Sequence, residues 1–486
     1  MKARLICYDR EVNLVSVGSP LTSRLPAGSL YSTPQYTPLA VKLQMNKHSL
    51  SISKIINGGF GLGQLTDGRL AMIRQALPGE EVVISTEEEK KNYLVGNVVS
   101  ITTPSPFRVD PPCPYYAACG GCDLQHASYE EQLKIKRDIL MDLLTRQKNL
   151  TDKDLTCPIA PPLPAPQQSG YRQRIRLWIK DGAVPGFRQR RSHNIVAVRR
   201  CLIAREELNQ SLAALLDHPP ATKLFTNTSE LELLYNPVST KVTALFHLSR
   251  KPRPADTAVA KNLVETIDTI ERIFFTGQQF PITAAAPVGC DNLFGLSCEP
   301  VGTISQPFTM QWEVGGFCQV NLEQNIQLVK LASEYAAISA EETVLDLFCG
   351  SGNFSIPLAA TARSLMGIEG QGSAIRSAKT NSSNAGLTNT TFYKKPIHTA
   401  CEELTGKSAS FDCLVIDPPR QGIPGLARQL SKLCRSRMVY ISCDPATLSR
   451  DLGDLVAHGF RITRIQPVDM FPETHHIETV VLLEKH

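Results

Sequence analysis

The stretch VLDLFCGSGNF at residues 344–354 decides the fold, because it joins an apolar run to a turn that contains Gly350 and Gly352. This pattern predicts a buried strand, a tight turn and the start of a helix. Glu369 follows at the end of the next apolar run. In doubly wound sheets the turn glycines let backbone approach a ligand, and an acid at the second strand tip accepts hydrogen bonds from ribose hydroxyls. Without a third glycine for a pyrophosphate, the turn fits S-adenosylmethionine (SAM) better than NAD; an ordinary strand-to-helix turn is the alternative.

The surrounding sequence repeats this type of strand. Short apolar runs that alternate with helical patterns from residue 317 onward indicate a parallel, doubly wound sheet whose strands are buried on both faces. The runs lie at residues 344–348, 365–368, 413–416 and 438–441. We therefore predict a Rossmann-like domain over residues 314–486.

Cys443 follows the last of these runs and precedes a predicted helix. Asp444 and Pro445 suit the cap and first position of that helix, which we expect at residues 446–455. Unpaired N–H groups and the macrodipole at a helix start favour a thiolate, which is the nucleophilic form of cysteine. Cys443 is thus a candidate nucleophile, and a small buried hydrophobe is its alternative role.

Two carboxylates accompany this thiol. Asp417 ends an apolar run, which places it at the same carboxyl edge of the sheet as Cys443, although a helix cap is its alternative role. Glu478 stands in an apolar strand, where burial is expected to raise its pKa toward a value useful for proton abstraction. Beside a methyl donor, the Asp417 carboxylate and the Cys443 thiol at neighbouring strand tips suggest covalent methyl transfer. A metal at His475 and His476 is not expected, because adjacent histidines on a strand point in opposite directions.

A cysteine cluster precedes the first long helical pattern. Cys113, Cys119 and Cys122 lie close in sequence and need a fourth ligand, for which Cys201 is the candidate and Cys157 the weaker option. Four thiolates hold either an iron–sulfur cube or tetrahedral zinc, and this spacing is not a usual zinc pattern. The remaining cysteines are expected to be packing residues: Cys7, Cys290, Cys298, Cys318, Cys349, Cys401, Cys413 and Cys434.

Residues 171–200 hold nine Lys or Arg and one Asp. Alternation along a strand puts Arg172, Arg174 and Arg176 on one face. Three aromatic residues are interleaved with this charge, namely Tyr171, Trp178 and Phe187. Positive charge beside stacking surface is typical of a groove for single-stranded nucleic acid, and a solvated sheet face is the alternative.

The N-terminal part divides into an extension and a predicted barrel. Residues 1–45 have no sustained period, and Met45 is a candidate true start. A small five-strand barrel is predicted by strand-like runs at residues 50–56, 70–73, 81–85 and 93–101. The glycines of residues 58–63 have no helix after them, so we interpret them as a strand bend or bulge beside a binding surface.

Composition excludes several classes of protein. The chain has 486 residues, which is too many for one core and favours about three domains. Its net charge is +5. The chain has no apolar stretch long enough for a membrane span and no apolar segment typical of a secretory signal. We expect a cytoplasmic protein that is monomeric by default.

Together these residues resemble the RNA 5-methyluridine methyltransferase family, most closely its iron–sulfur-containing 23S ribosomal RNA branch that acts at the uracil-1939 type of site. The resemblance spans residues 46–486 and implies a multidomain α/β protein. It implies an OB-like TRAM domain at residues 46–103, a β-rich cluster-bearing domain at residues 104–313 and a SAM methyltransferase domain at residues 314–486.

The resemblance also implies residue roles. It makes Cys443 the nucleophile, Glu478 the general base and Asp417 a positioning and donor-site residue, and it assigns a [4Fe-4S] cluster to Cys113, Cys119, Cys122 and Cys201. The implied SAM site contains Gln319, Phe348, Gly350, Gly352, Asn353, Glu369 and Asp417. The implied partner is a loop or flipped uridine of 23S ribosomal RNA, gripped by Arg172, Arg174 and Arg176.

Two other functions stay open. A transfer-RNA 5-methyluridine methyltransferase would share Cys443, Asp417 and Glu478 but typically lacks the TRAM domain and cluster cysteines. A catalytically inactive iron–sulfur RNA-binding assembly factor is the alternative from a different class, against which the intact Cys443 and Glu478 argue.

Overall fold

The computed structural model describes residues 47–486. The predicted extension at residues 1–45, the candidate start Met45 and the packing role expected of Cys7 lie outside this range. Among the described residues, no helix is both long enough and apolar enough to cross a bilayer.

A closed barrel begins the described chain, with strand order β1-β2-β3-β5-β4. Its core is formed by buried side chains such as Leu50 of β1, Ile73 of β3 and Ile84 of β4. The sequence predicted four of the strands, whereas β2 was interpreted only as a bend because its glycines hide the strand pattern. The strands are β1 (Lys47–Ile56), β2 (Phe60–Gln64), β3 (Leu70–Arg74), β4 (Glu81–Glu89) and β5 (Tyr93–Thr103).

Helix α1 (Tyr129–Thr145) follows the cysteine cluster. The Ser128 side chain caps it by accepting a hydrogen bond from the Glu131 N–H. Its buried residues Leu140 and Leu144 join one of the two cores of the C-terminal sheet. This packing connects the cysteine segment to the C-terminal domain.

A seven-stranded sheet with order β12-β11-β10-β9-β6-β7-β8 occupies the centre of the chain, and a two-stranded sheet, β13-β14, follows it. The region is β-rich, as expected, and three helices lie between its strands. The elements are β6 (Arg174–Trp178), β7 (Gly186–Arg188), β8 (Ile195–Ala197), α2 (Glu206–Asp217), α3 (Pro219–Phe225), β9 (Thr228–Asn236), β10 (Lys241–Leu248), α4 (Pro254–Thr266), β11 (Ile270–Gly277), β12 (Phe280–Ala286), β13 (Leu293–Cys298) and β14 (Phe308–Glu313).

The C-terminal sheet is doubly wound, with order β17-β16-β15-β18-β19-β21-β20. Strands β15 to β19 pair in parallel, and β21 runs antiparallel to both β19 and β20. The elements are α5 (Leu322–Ala336), β15 (Thr343–Leu347), α6 (Ser355–Ala359), β16 (Ser364–Glu369), α7 (Gly372–Asn384), β17 (Thr390–Lys394), α8 (Ile397–Gly406), β18 (Phe411–Ile416), α9 (Ala427–Leu433), β19 (Cys434–Ser442), α10 (Pro445–Ala457), β20 (Phe460–Val468) and β21 (Glu478–Lys485).

Both faces of this sheet are buried, which explains its uninterrupted apolar strands. Successive residues point to opposite faces, so Val344 packs in one core while Leu345 packs in the other. All four runs predicted as buried strands are strands of this sheet. The carboxyl ends of its parallel strands form the edge at which doubly wound folds bind ligands.

Candidate active site

Strand register brings the predicted nucleophile and base together. Ser442 pairs with Thr479 across the antiparallel strands β19 and β21, so the next pair in that register is Cys443 and Glu478. Asp417 directly follows β18, which runs parallel to β19 with Ile416 opposite Tyr440. The thiol and both carboxylates therefore meet at the carboxyl edge of the sheet. The sequence predicted this place for Cys443 and Asp417, and the strand register adds Glu478.

The ionisation expected for Cys443 is wrong. Asp444 caps α10 by accepting hydrogen bonds from the next two N–H groups, as predicted, but the thiol is half-buried. Burial, followed by the nearby charges of Glu478 and Asp417, raises the pKa of Cys443 from 9.0 to about 12. Desolvation and two acids outweigh the helix terminus, so the ligand-free thiol is protonated.

The two carboxyl groups also hold protons more tightly than usual. Burial raises the pKa of Asp417 to about 7. Burial first, and then the charge of Asp417, raises the pKa of Glu478 well above its ordinary value, in the predicted direction. Two acids this close do not ionise independently, so the pair titrates as a unit and can keep one proton near neutral pH.

The glycine turn after β15 has the backbone that a ligand cradle requires. Phe348, Gly350 and Gly352 all have positive φ, at 62°, 55° and 92°. The Phe348 value is uncommon for a bulky residue and marks a strained turn of the type found at ligand sites. Asn353 exchanges two side-chain hydrogen bonds with Asn325 of α5, at 2.9 and 3.0 Å. This amide pair fixes the far side of the turn.

Asp346 begins the predicted glycine-turn motif but was not itself predicted as a donor-site residue. It lies inside the apolar strand β15, is fully buried and accepts a hydrogen bond from Ser355. Its second carboxylate oxygen has no partner among the described residues. Burial raises the pKa of Asp346 to about 8, with further contributions from Asp417 and Glu369. The sequence could have indicated this residue, because burying a single carboxyl group in an apolar strand is costly and is therefore typical of a functional position.

Of the other predicted donor-site residues, Glu369 lies beside this turn, because β16 pairs with β15. Glu369 ends β16, and its carboxylate accepts from the Gln371 N–H at 2.8 Å. Gln319 lies just before α5, and its carbonyl accepts from the Gln173 side chain at 2.6 Å. Asn321 caps α5 and donates to the Met470 carbonyl at 3.1 Å. The segment that contains Gln319 thus connects β6 with the loop that precedes Glu478.

The four predicted cluster ligands line one cavity of about 220 Å³, together with Arg172 and Gln125 among others; the four are Cys113, Cys119, Cys122 and Cys201. Burial raises the pKa of the last three of these thiols. The Nε of Arg172 is buried without a partner among the described residues. Four thiols and an uncompensated cation suit an anionic thiolate cluster.

A single metal ion does not suit this cavity. Within residues 47–486, no group of three His, Cys, Asp or Glu side chains is placed to hold one ion. In an iron–sulfur cube each thiolate binds a different iron, so the four ligands stand further apart than around zinc. Cys157 packs against the core of the C-terminal sheet and does not line the cavity.

The three predicted arginines do alternate with buried residues along the strand, but two of them are partly buried and only one is exposed. Arg174 is mostly buried and pairs with Glu232, a fully buried residue of β9. Burial raises the pKa of Glu232, but His247, Arg174 and Arg176 outweigh it and hold this pKa at about 2. Arg172 and Arg176 both line the cysteine cavity, and of the three arginines only Arg176 is exposed, although it also pairs with Glu232. The sequence of β6 alone could not predict this pairing, because Glu232 lies on β9, the neighbouring strand in the sheet.

Further exposed arginines lie on the β7–β8 hairpin. Arg188 and Arg191 are exposed, and the Arg188 guanidinium stacks on Trp178 at 3.5 Å from the ring centroid. Gly120 donates to the Arg188 carbonyl at 3.0 Å, so the hairpin lies directly on the cysteine loop. A Cβ at Gly120 would be 2.9 Å from that carbonyl oxygen, which explains the glycine. The predicted stacking residue Tyr171 is buried and donates to the Pro472 carbonyl.

The expectation that His475 and His476 point in opposite directions is also wrong, because they lie in a loop and their ring centroids are 4.2 Å apart. His475 Nδ1 lies 2.6 Å from Asp123. Burial, and then His475, lowers the pKa of His476 to about 3, so its ring is neutral.

Comparison with known proteins identifies the family. A family model described as tRNA (uracil-5-)-methyltransferase matches residues 303–486. The chain is 33% identical over 451 residues to the 23S rRNA (uracil(1939)-C(5))-methyltransferase RlmD of Vibrio parahaemolyticus, an alignment that includes 91% of this chain and 98% of that protein. The chain belongs to the RNA uracil-C5 methyltransferase family.

Other relatives of this uracil-C5 methyltransferase also align with most of the chain. The RlmD protein of Psychrobacter arcticus is 31% identical, with 87% of this chain and 85% of that protein aligned. A solved structure, the tRNA (uracil-54, C5)-methyltransferase of Pyrococcus abyssi in complex with S-adenosyl-L-homocysteine, aligns with 89% of this chain at a TM-score of 0.66 and 23% identity. All of that chain is included, so the two proteins share the methyltransferase fold.

Proposed function

We propose that this methyltransferase uses SAM to methylate C5 of a specific uridine in 23S ribosomal RNA, at the uracil-1939 type of site, through a covalent adduct between Cys443 and C6 of the base. The observation that carries the proposal is the β19–β21 register, which sets Cys443 opposite Glu478 beside Asp417. The fold alone would not distinguish this chemistry from other methyl transfers.

The first step is attack by sulfur. The ligand-free thiol is protonated, so Cys443 has to lose its proton as the uracil enters; the nearby Asp417 passes this proton to solvent, which leaves Glu478 as a carboxylate for the second step. The thiolate then forms a bond to C6, and the electron pair of the C5–C6 double bond moves into the ring as an enolate. The bound donor supplies an electrophilic methyl group, which the enolate carbon C5 takes from the sulfonium.

The second step restores the ring. Glu478 removes the proton from C5, and the C5–H electron pair re-forms the C5–C6 double bond. The C6–S bond breaks, and its electron pair leaves on the Cys443 sulfur as a thiolate. Burial suits Glu478 to this task, because a raised pKa makes its carboxylate a stronger base.

The donor is held on the glycine turn. Phe348, Gly350 and Gly352 form the backbone cradle, and Glu369 at the next strand tip can accept from ribose hydroxyls. Asn353 acts mainly through its amide pair with Asn325. The remaining donor contacts in the proposal are Gln319, Asp417 and, as an addition, Asp346.

The RNA grip is assigned to the N-terminal barrel as a TRAM domain and to the central domain. Arg176, Arg188 and Arg191 replace the original arginine set, because their side chains are exposed. A stacked base is unreachable, so the target uridine is expected in a loop or flipped out. The [4Fe-4S] cluster would be held by the four cysteines of the cavity and would brace the β7–β8 hairpin, with no redox step assigned.

The proposed RNA substrate is the one for which the similar proteins are named. The two RlmD proteins align along most of their length, and both are named for 23S rRNA. The proposal therefore prefers ribosomal RNA to transfer RNA and places the enzyme in the cytoplasm; a monomer stays a prediction.

The test is methylation of deproteinised ribosomal and transfer RNA from a strain that lacks the gene, with the product mapped to one nucleotide. The proposal expects 5-methyluridine at one 23S position with wild-type enzyme and none with Cys443→Ala. Incorporation into transfer RNA alone would contradict the ribosomal assignment. Incorporation by Cys443→Ala would contradict the covalent mechanism.

A further inference from the structure

The loop between β20 and β21, residues 469–477, leads directly into Glu478. Its backbone and side chains are held from outside the C-terminal sheet. Lys136 of α1, fully buried, pairs with Asp469 and donates to the Phe471 carbonyl at 3.0 Å. This anchor fixes the start of the loop to the helix that follows the cysteine cluster.

Glu473, in the middle of the loop, has a φ of 69° and is held at four points. Its carbonyl accepts from the N–H groups of Asp123 and Leu124 at 3.0 and 3.1 Å. Its own N–H and its carboxylate both bond to the Gln132 side chain, at 2.9 and 3.2 Å. A non-glycine residue in this strained region persists only when its surroundings impose it.

Asp123 makes a second contact further along the loop. Its carboxylate accepts from the His475 N–H at 2.6 Å, and the second oxygen lies 2.6 Å from His475 Nδ1. These two bonds fix both the backbone and the ring of His475, three residues before Glu478. Asp123 itself directly follows Cys122, so the clamp comes from the cysteine loop.

We propose that Asp123 and His475 are positioning residues that set the carboxylate of Glu478 for proton abstraction. The inference rests on the proposed role of Glu478 as base. Cys443 lies on a different strand and on a different connection, so the clamp is expected to control the second chemical step and not the first. A displacement of about 1 Å can slow a positioned reaction by up to about 100-fold.

The experiment uses full-length, cluster-containing enzyme with His475→Ala, Asp123→Ala and Asp123→Asn, and with Asp110→Ala as matched control because Asp110 is exposed. Glu478→Gln is the reference for a failed base. Each variant is given RNA and SAM in a single turnover, and two quantities are measured: methyl transfer to RNA, and protein–RNA adduct that survives denaturation. Cluster absorbance and thermal unfolding are recorded for each variant.

His475→Ala and Asp123→Ala are expected to transfer methyl at the wild-type rate but to release product about 10-fold to 100-fold more slowly, so that methylated adduct accumulates as in Glu478→Gln. Asp123→Asn keeps an oxygen for the His475 N–H and is expected to restore release in part. The proposal would be overturned if methyl transfer and product release slowed equally, or if His475→Ala released product at the wild-type rate. His475→Ala keeps the inference testable if Asp123→Ala loses its cluster.

Hydrogen exchange separates this inference from the mechanism. Amides of residues 469–480 are expected to exchange faster in both alanine variants than in Asp110→Ala, whatever the chemistry. Unchanged exchange would refute the clamp itself. Absence of any adduct in Glu478→Gln would refute the proposed covalent mechanism and leave the exchange result to decide the clamp.

Discussion

The ionisation of Cys443 gives the sharpest prediction. The structure raises its pKa from 9.0 to about 12 through burial, Glu478 and Asp417. Three pKa units correspond to about 1,000-fold less thiolate near neutral pH, or about 4 kcal/mol. The resting enzyme is therefore expected to be a poor nucleophile, and the thiol becomes reactive only when substrate and donor change its surroundings.

The assay is alkylation of Cys443 by iodoacetamide in RNA-free enzyme, followed by peptide mass spectrometry from about pH 7 to about pH 10, since only the thiolate reacts. An unfolded peptide of residues 436–447 is the matched control, because it has the same neighbours without the fold. The folded enzyme is expected to react about 1,000-fold more slowly at neutral pH, with a rate that still rises at the highest pH.

A plateau in the folded enzyme below about pH 9 would refute this reasoning, because it would mean that the helix terminus lowers the pKa of the thiol more than burial raises it. Glu478→Gln gives an internal check. It removes a nearby acid, so it is expected to speed alkylation of Cys443 at high pH.

Four further predictions concern other residues of the structure. Arg174→Ala is expected to cost about 3 kcal/mol of unfolding free energy in urea melts, because it removes a partner of buried Glu232. The pKa of Glu232 is lowered from 4.5 to about 2, which contributes about 3 kcal/mol to the free energy of unfolding. This contribution is fully present above about pH 4.5 and is lost as the pH falls toward 2, so unfolding free energies measured across this pH range test it. Arg188→Ala with Arg191→Ala is expected to weaken RNA binding and to reduce the slope of log K against log salt by about 2, whereas an unchanged slope would remove the hairpin from the interface. Asn325→Ala is expected to weaken SAM binding about tenfold in calorimetry by releasing the glycine turn, and unaltered affinity would show that the amide pair is dispensable.

The sequence predicted what local patterns determine. The apolar runs, the glycine turn and the cap at Asp444 are all encoded within a few residues, and each is found where it was expected. The meeting of Cys443 and Asp417 followed from one rule, that parallel strands end at a shared edge, whereas the place of Glu478 opposite Cys443 depends on the antiparallel β19–β21 register. The missed strand β2 shows the limit of this approach, because Gly61 and Gly63 are required by close backbone and side-chain approach and carry no strand signal.

Long-range partners could not be predicted in this way. Arg174 belongs to an alternating basic pattern, and only the pairing of β6 with β9 reveals that Glu232 neutralises it. The pKa of Cys443 depends on how far the thiol is buried among two acids, which no single segment encodes. The clamp between Asp123 and His475 could not be predicted either, because it joins residues that are far apart in the sequence.

The central claim is that the Cys443 sulfur bonds to the uracil ring, and mass spectrometry of a trapped complex tests it most directly. RNA with 5-fluorouridine at the mapped position has no C5 proton for Glu478 to remove, so the adduct cannot resolve. The account predicts one methylated RNA joined to the peptide that contains Cys443, and no such species with Cys443→Ala. An adduct on any other residue, or methylation of ordinary RNA by Cys443→Ala, would contradict it.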